Sequence, residues 1–126
     1  YNILTRLKSG EAKIINKKDH FFSRIHVEDV ANILYNSLNQ FRKNEIYNIS
    51  DDKPASAEEV AMYGVKLLGV DKPKTIEINE IESEMLKGFY RDSKKVDNKK
   101  MKKIFNYKLK YPTYVEGLNY IFNNSI

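Results

Sequence analysis

At 126 residues the chain is the size of one domain. With 41% hydrophobic and 31% charged residues it has the composition of a folded globule rather than a disordered segment. It contains no cysteine, which excludes disulfides, thiolate nucleophiles and zinc sites built on sulfur. No apolar run reaches the roughly 18 residues of a membrane span, so no membrane partner is expected and a cytoplasmic setting is the default. The opening residues carry no secretory pattern and start at Tyr1 rather than Met. Residues 1–126 are therefore expected to be a single domain or a fragment of something longer.

The charge is uneven. Lys plus Arg is 22 against 17 acids, a net +5. Residues 94–110 hold eight lysines against Asp97 alone, so that stretch is +7 and the remainder −2. Such a block could serve an anionic partner. The composition has a plainer source, since Lys, Asn and Ile, all with AT-rich codons, dominate it. Nucleic-acid sites favour Arg and stacking aromatics, and the chain has four Arg in all. Nucleic acid is not expected as a partner.

In chain order, Ile3, Leu4 and Leu7 predict a helix that ends near Ser9-Gly10, with Gly as the left-handed cap. Residues 13–16 and 22–27 read as short strands around the polar turn Lys17-Lys18-Asp19. From Glu28 the period becomes helical, with Val30, Ile33, Leu34, Leu38 and Phe41 on one face. Glu45-Ile46-Tyr47-Asn48-Ile49 reads as a strand, closed by the turn cluster at residues 50–54. Ser56 and Glu59 form a capping box for a helix carrying Val60, Tyr63, Leu67 and Leu68 and stopping at Gly69. Residues 74–78 predict an edge strand, and 80–86 a short acidic helix. Residues 94–96 read as another short strand, with Asp97 or Asn98 capping a helix that buries Met101, Ile104 and Phe105. Thr113 and Glu116 form a second capping box, for a helix that buries Val115, Leu118, Ile121 and Phe122. Leu34 and Leu118 lie at the centres of their stripes and are expected to be core.

Several chemistries are excluded. The five glycines are too scattered for a phosphate-cradling loop. His26-Val27-Glu28 has the His-x-Glu of a zinc deaminase without the two cysteines that chemistry needs. An iron site is no better served, because the second histidine, His20, lies across a turn. His26 is expected to be structural, tying a strand-to-helix corner. Asp29 is expected to be an N-cap. Tyr90 and Lys94 match the Tyr-x-x-x-Lys spacing in which a cation lowers a phenol's pKa. With nine tyrosines in the chain and twice as many lysines, one such spacing is an ordinary coincidence.

Two segments carry a resemblance. Phe22-Ser23-Arg24-Ile25-His26-Val27-Glu28-Asp29-Val30-Ala31, followed by Ile46-Tyr47-Asn48-Ile49-Ser50-Asp51-Asp52, resemble the "(F/Y)xxIHVxDVA … YNVxDD" stretch of extended short-chain dehydrogenases/reductases, the NAD-dependent epimerase/dehydratase family. The tail, from Asp97-Asn98-Lys99 through Tyr111-Pro112-Thr113-Tyr114-Val115-Glu116-Gly117-Leu118, is similar to the family's "sNxrLkreLGWxPxYPTYxEGL" ending, with Phe105-Asn106 in place of Leu-Gly. The resemblance implies an α/β fold, the C-terminal portion of a Rossmann-type protein made of helices with a few short strands. It implies a substrate-binding lobe plus the last strand and helices of the Rossmann-like unit, with residues 46–49 as a late strand of the parallel sheet and the helix from Val30 flanking it.

On this resemblance NAD(P) belongs to the complete protein and is bound by residues outside this chain, as are the catalytic Ser/Tyr/Lys. The chain itself is expected to hold no catalytic, cofactor-binding or metal-binding residue and to be inactive alone. The activity implied is that of a sugar or nucleotide-sugar epimerase, dehydratase or reductase. Its partners would be a small-molecule substrate, sugar-derived, and either the missing N-terminal Rossmann half or a second copy. Nucleotide-sugar epimerases place an Arg four residues before the strand His, where this chain has Phe22. They also carry an Arg-Pro-Gly-Asp motif that residues 84–88 lack, so the resemblance is to an atypical branch. Arg24 and Arg91 are the candidates for anionic substrate groups, because a guanidinium fork matches carboxylate and phosphate. The plainer role for each is a surface pair with Glu28 or Asp92. The alternative to the whole reading is a stand-alone, non-catalytic binding or interaction module.

Overall fold

The computed structural model describes residues 2–40 and 42–125. Among them, six α-helices and two strands follow in the order α1 (Ile3–Lys8), β1 (Lys13–Ile15), α2 (Val27–Gln40), α3 (Ala57–Leu68), β2 (Lys74–Ile76), α4 (Glu84–Phe89), α5 (Lys99–Phe105) and α6 (Tyr114–Ser125). A 3-10 turn, Ile78–Glu80, links β2 to α4. The strands pair in parallel, Lys13 opposite Lys74 and Ile15 opposite Ile76. A parallel pair needs a long crossover, and here it runs through α2 and α3.

Local chemistry sets the helix ends. Asn2 Oδ1 accepts from the Thr5 N–H at 3.0 Å to start α1, and Gly10 beyond its end takes φ 75°. Ser56 Oγ accepts from the Glu59 N–H at 3.0 Å, and α3 stops at Gly69 in the left-handed conformation. At the start of α6 the Thr113 N–H donates to Glu116 Oε2 at 2.9 Å, while Thr113 Oγ1 accepts from the Val115 N–H at 3.1 Å. Each satisfies backbone donors that the first helical turn leaves unpaired. The Ser56 box is only half formed, because the Glu59 carboxylate turns to Lys53 and Tyr114 instead.

Three apolar clusters hold the elements together. Leu4, Ala55, Val60 and Leu118 join α1, α3 and α6; Ile15 and Ile76 of the strand pair cluster with Ile81 and Tyr90; Ile33, Met101, Phe105 and Leu109 join α2 to α5. Gly64 lets α1 and α3 cross closely, since a Cβ there would stand 2.6 Å from Leu7 Cδ1.

Some expectations fail for reasons that packing supplies. Residues 22–27 form a single antiparallel bridge, Phe22 to Ala55, rather than a strand. Residues 94–96 are not a strand either; the Lys94 N–H donates to Phe21 O at 3.0 Å and Ser23 holds Val96. The short acidic helix comes later than expected, as α4, because Ser83 caps it. Residues 45–49 do not form the expected strand and carry no regular secondary structure. On α2, Ile33 is buried but Leu34 and Leu38 are 56% and 69% exposed, so the expected core stripe is half uncovered. Phe41 lies outside the described residues. Leu118 is core, as expected.

Candidate functional site

The chain entering α2 carries the candidate residues. Arg24 folds back on its own neighbourhood: Nη1 donates to Phe22 O at 3.1 Å and to Ala55 O at 2.7 Å. Its guanidinium carbon lies 5.4 Å from the centre of the Phe22 ring. Burial weighs against its charge, and nearby Asp51 is the strongest influence supporting it. The Asp51 N–H in turn donates to Arg24 O at 2.6 Å, and Asp51 Oδ1 accepts from the Lys53 N–H at 3.0 Å. Burial nevertheless pushes the Asp51 carboxyl up to about 6, against the pull of the Lys53 N–H and Arg24. Neither Arg24 nor Asp51 pairs with Glu28, which Lys110 and Tyr111 hold at 2.6 and 3.2 Å.

His26 ties the corner as expected: Nδ1 accepts from the Glu28 N–H at 3.2 Å and the ring stacks on Tyr111 with centroids 3.9 Å apart. Asp29 is not an N-cap. It lies inside α2, fully buried, where Oδ1 accepts from the Tyr107 hydroxyl at 2.6 Å and the Lys110 N–H at 2.8 Å, and Oδ2 from the Tyr111 N–H at 2.9 Å. It clamps the segment before α6 onto α2, and those three hydrogen bonds occupy both of its oxygens.

A second corner is aromatic. His20 lies between Phe22 and Tyr90, with centroids 4.6 and 5.0 Å away, and both of its ring nitrogens are buried without a partner among the described residues. Burial, then the charge of Lys17, lowers its pKa. Tyr90 caps the C-terminus of α4, its phenol held up by burial. Lys94 lies beyond the helix, exposed, 3.8 Å from Asp92. Tyr90 and Lys94 therefore do not share a helix face, and a phenol raised by burial is the opposite of one activated by a cation. Arg91 is exposed at the end of the same helix; Asp92 faces Lys94 rather than Arg91. Arg24 thus borders the aromatic corner, beside Phe22 and close enough to Tyr90 for its charge to act on the phenol, while Arg91 is exposed.

Beside the aromatic corner opens a cavity of about 470 Å³, lined by Phe21, Phe22, Ser23, Met85, Phe89 and Val96 among others. No sequence pattern points to it, because its walls come from two stretches, 21–23 and 85–96, some 60 residues apart. The lysine run is largely engaged: Lys100 pairs with Glu45, Lys102 with Asp52 and Lys110 with Glu28, each within 2.8 Å, and Lys95 lies over the Phe21 ring. No glycine stands between a strand and the N-terminus of a helix. Gly10 and Gly69 follow helices, while Gly64, Gly88 and Gly117 lie inside them. A glycine-rich strand-to-helix turn is where a dinucleotide's pyrophosphate is gripped. Among the described residues, no group of three His, Asp or Glu side chains could hold a metal ion, and no helix is long and apolar enough to cross a membrane.

No protein-family model matches the chain, and no curated protein does. Solved structures do. A functionally unknown conserved protein from Silicibacter pomeroyi is 32% identical with a TM-score of 0.86, over 95% of this chain and 43% of that one. The human epimerase family protein SDR39U1, solved with NADPH, is 21% identical with a TM-score of 0.78, over 97% and 42%. UDP-glucose 4-epimerase from Thermotoga maritima, solved with UDP-glucose, is 20% identical with a TM-score of 0.76, over 96% and 37%. The chain therefore has the mixed α/β fold found in part of these structures, two of which are described as epimerases, and the resemblance read in the sequence is borne out at the level of fold. It spans less than half the length of each.

Proposed function

We propose that this chain is the substrate-binding part of an NAD(P)-dependent epimerase, dehydratase or reductase of the extended short-chain dehydrogenase/reductase family. The observation that carries the reading is the fold match, nearly complete for this chain but covering about two-fifths of structures that include one with NADPH and one with UDP-glucose. The absence of a pyrophosphate-gripping turn among these residues supports assigning the cofactor, and the chemistry, to the other three-fifths. Residues 1–126 then act as one lobe that receives a small-molecule substrate. Arg24 keeps three N–H donors beyond the two spent on carbonyls. Together with exposed Arg91 it is the cation proposed to meet the substrate's anionic or sugar-derived groups.

Calorimetric titration with NADPH and NADH tests the reading. The isolated chain is expected to bind either no better than weakly. A chain that joins these residues to a glycine-rich Rossmann half is expected to bind one of them tightly. Micromolar affinity in the isolated chain would overturn the proposal.

A further inference from the structure

We propose that the cavity between residues 21–23 and α4 is a binding site for an uncharged aromatic or branched aliphatic group. This deepens the substrate-binding reading by naming what one part of the lobe takes. One wall is built and held in place. Phe22 stacks edge-on against His20 and Tyr90 at 4.6 and 5.5 Å, and Lys95 covers the outer face of Phe21 at 4.1 Å. The opposite wall is Met85 and Phe89, one turn apart on α4 and 75% and 59% exposed, two large apolar side chains left uncovered. Val96 also lines the space. At about 470 Å³ the space lies within the range of small-molecule pockets.

The polar groups in the lining offer little to a charged ligand. Ser23 Oγ donates to Lys94 O at 3.3 Å and accepts from the Val96 N–H at 2.9 Å, so its hydroxyl is engaged. Asp92 and Lys94 stand 3.8 Å apart and cancel. No arginine lines the cavity, whereas a diphosphate calls for several cations or a helix N-terminus. An apolar body gains from entering this space, because Met85 and Phe89, which face water, become covered.

Titration of the 126-residue chain with 2-naphthol, followed by amide NMR shifts, tests this without any cofactor, so its outcome is separate from that of the NADPH titration. Saturable binding is expected, with the shifts concentrated at residues 21–23, 85–89 and 96. Phe89→Ser should weaken it roughly three- to tenfold, the scale of one aromatic wall. Phe89 is exposed, so the variant should fold, and an unchanged far-ultraviolet spectrum would establish that. Leu38→Ser, on the equally exposed face of α2, should leave the affinity unchanged. The proposal is overturned by the absence of saturable binding, by shifts centred on α2 with loss in Leu38→Ser, or by uridine diphosphate binding more tightly at the same residues. Loss of the site in step with dimer formation as the protein is concentrated would overturn it too, since a second copy would then be its occupant.

Discussion

Asp51 is a carboxyl whose folded environment favours the proton. Its pKa rises to about 6 from 3.8, chiefly through burial. Between those values the folded state holds more proton than the unfolded one, so this group's contribution to stability is present at acid pH and is lost as pH rises through 6. Above that it costs up to roughly 3 kcal/mol, because each tenfold change in proton affinity is worth about 1.36 kcal/mol. Asp51→Asn keeps an acceptor for the Lys53 N–H and removes the titration. The variant is expected to be more stable than the parent at pH 7.5 and indistinguishable from it near pH 4, as read by urea denaturation at each pH. Equal differences at both values would show that the carboxyl is not the cause. His20 works in the other sense in both proteins, because its lowered pKa makes stability fall as pH drops through about 6.5. It cancels in the comparison.

The crossing of α1 and α3 depends on Gly64. A Cβ there would meet Leu7 Cδ1 at 2.6 Å and Leu4 Cδ2 at 3.1 Å, both on buried side chains. Alanine improves helix propensity by up to about 1 kcal/mol, yet the overpacking costs about 1–3 kcal/mol, so Gly64→Ala is expected to destabilise on balance. The double variant Gly64→Ala/Leu7→Ala should lose less than the sum of the two single ones, because removing the Leu7 branch relieves the clash. Strict additivity in denaturation would refute the contact. The same logic separates two leucines that look alike in sequence. Leu118→Ala should cost about 2–5 kcal/mol, as for a filled core site. Leu34→Ala should cost under about 1 kcal/mol, because more than half of that side chain already meets water.

That contrast marks where the sequence is legible. Ser56, Gly69, Gly10 and the Thr113/Glu116 box act within a turn of themselves, and each ends a helix where its chemistry says it should. Asp29 looks like a cap in sequence because its true partners, Tyr107 to Tyr111, lie some 80 residues away, where no local pattern can point. The cavity is invisible for the same reason. Residues 45–49 and the α2 stripe are legible as apolar, but not as uncovered. An amphipathic pattern reports that a face seeks burial; it does not supply the partner.

The uncovered partner-seeking face makes a statement about how the chain behaves alone. Leu34, Tyr35 and Leu38 on α2 and Ile46 beyond it are all exposed, Ile46 at 84%. Beside them residues 46–49 belong to no helix or strand, and their backbone N–H groups have no protein partner among the described residues. Open backbone donors next to an apolar face form a template for strand pairing with another chain, and the apolar side chains add a hydrophobic gain when they are covered. The isolated chain is therefore expected to self-associate through this edge. Leu38→Lys together with Ile46→Lys should shift it toward a 14.8 kDa monomer without lowering its stability, since neither side chain contributes much to the core. Light scattering across a concentration series reads the association, and urea denaturation the stability. A cooperatively folded parent that stays monomeric at high concentration would contradict the expectation and favour a self-sufficient module.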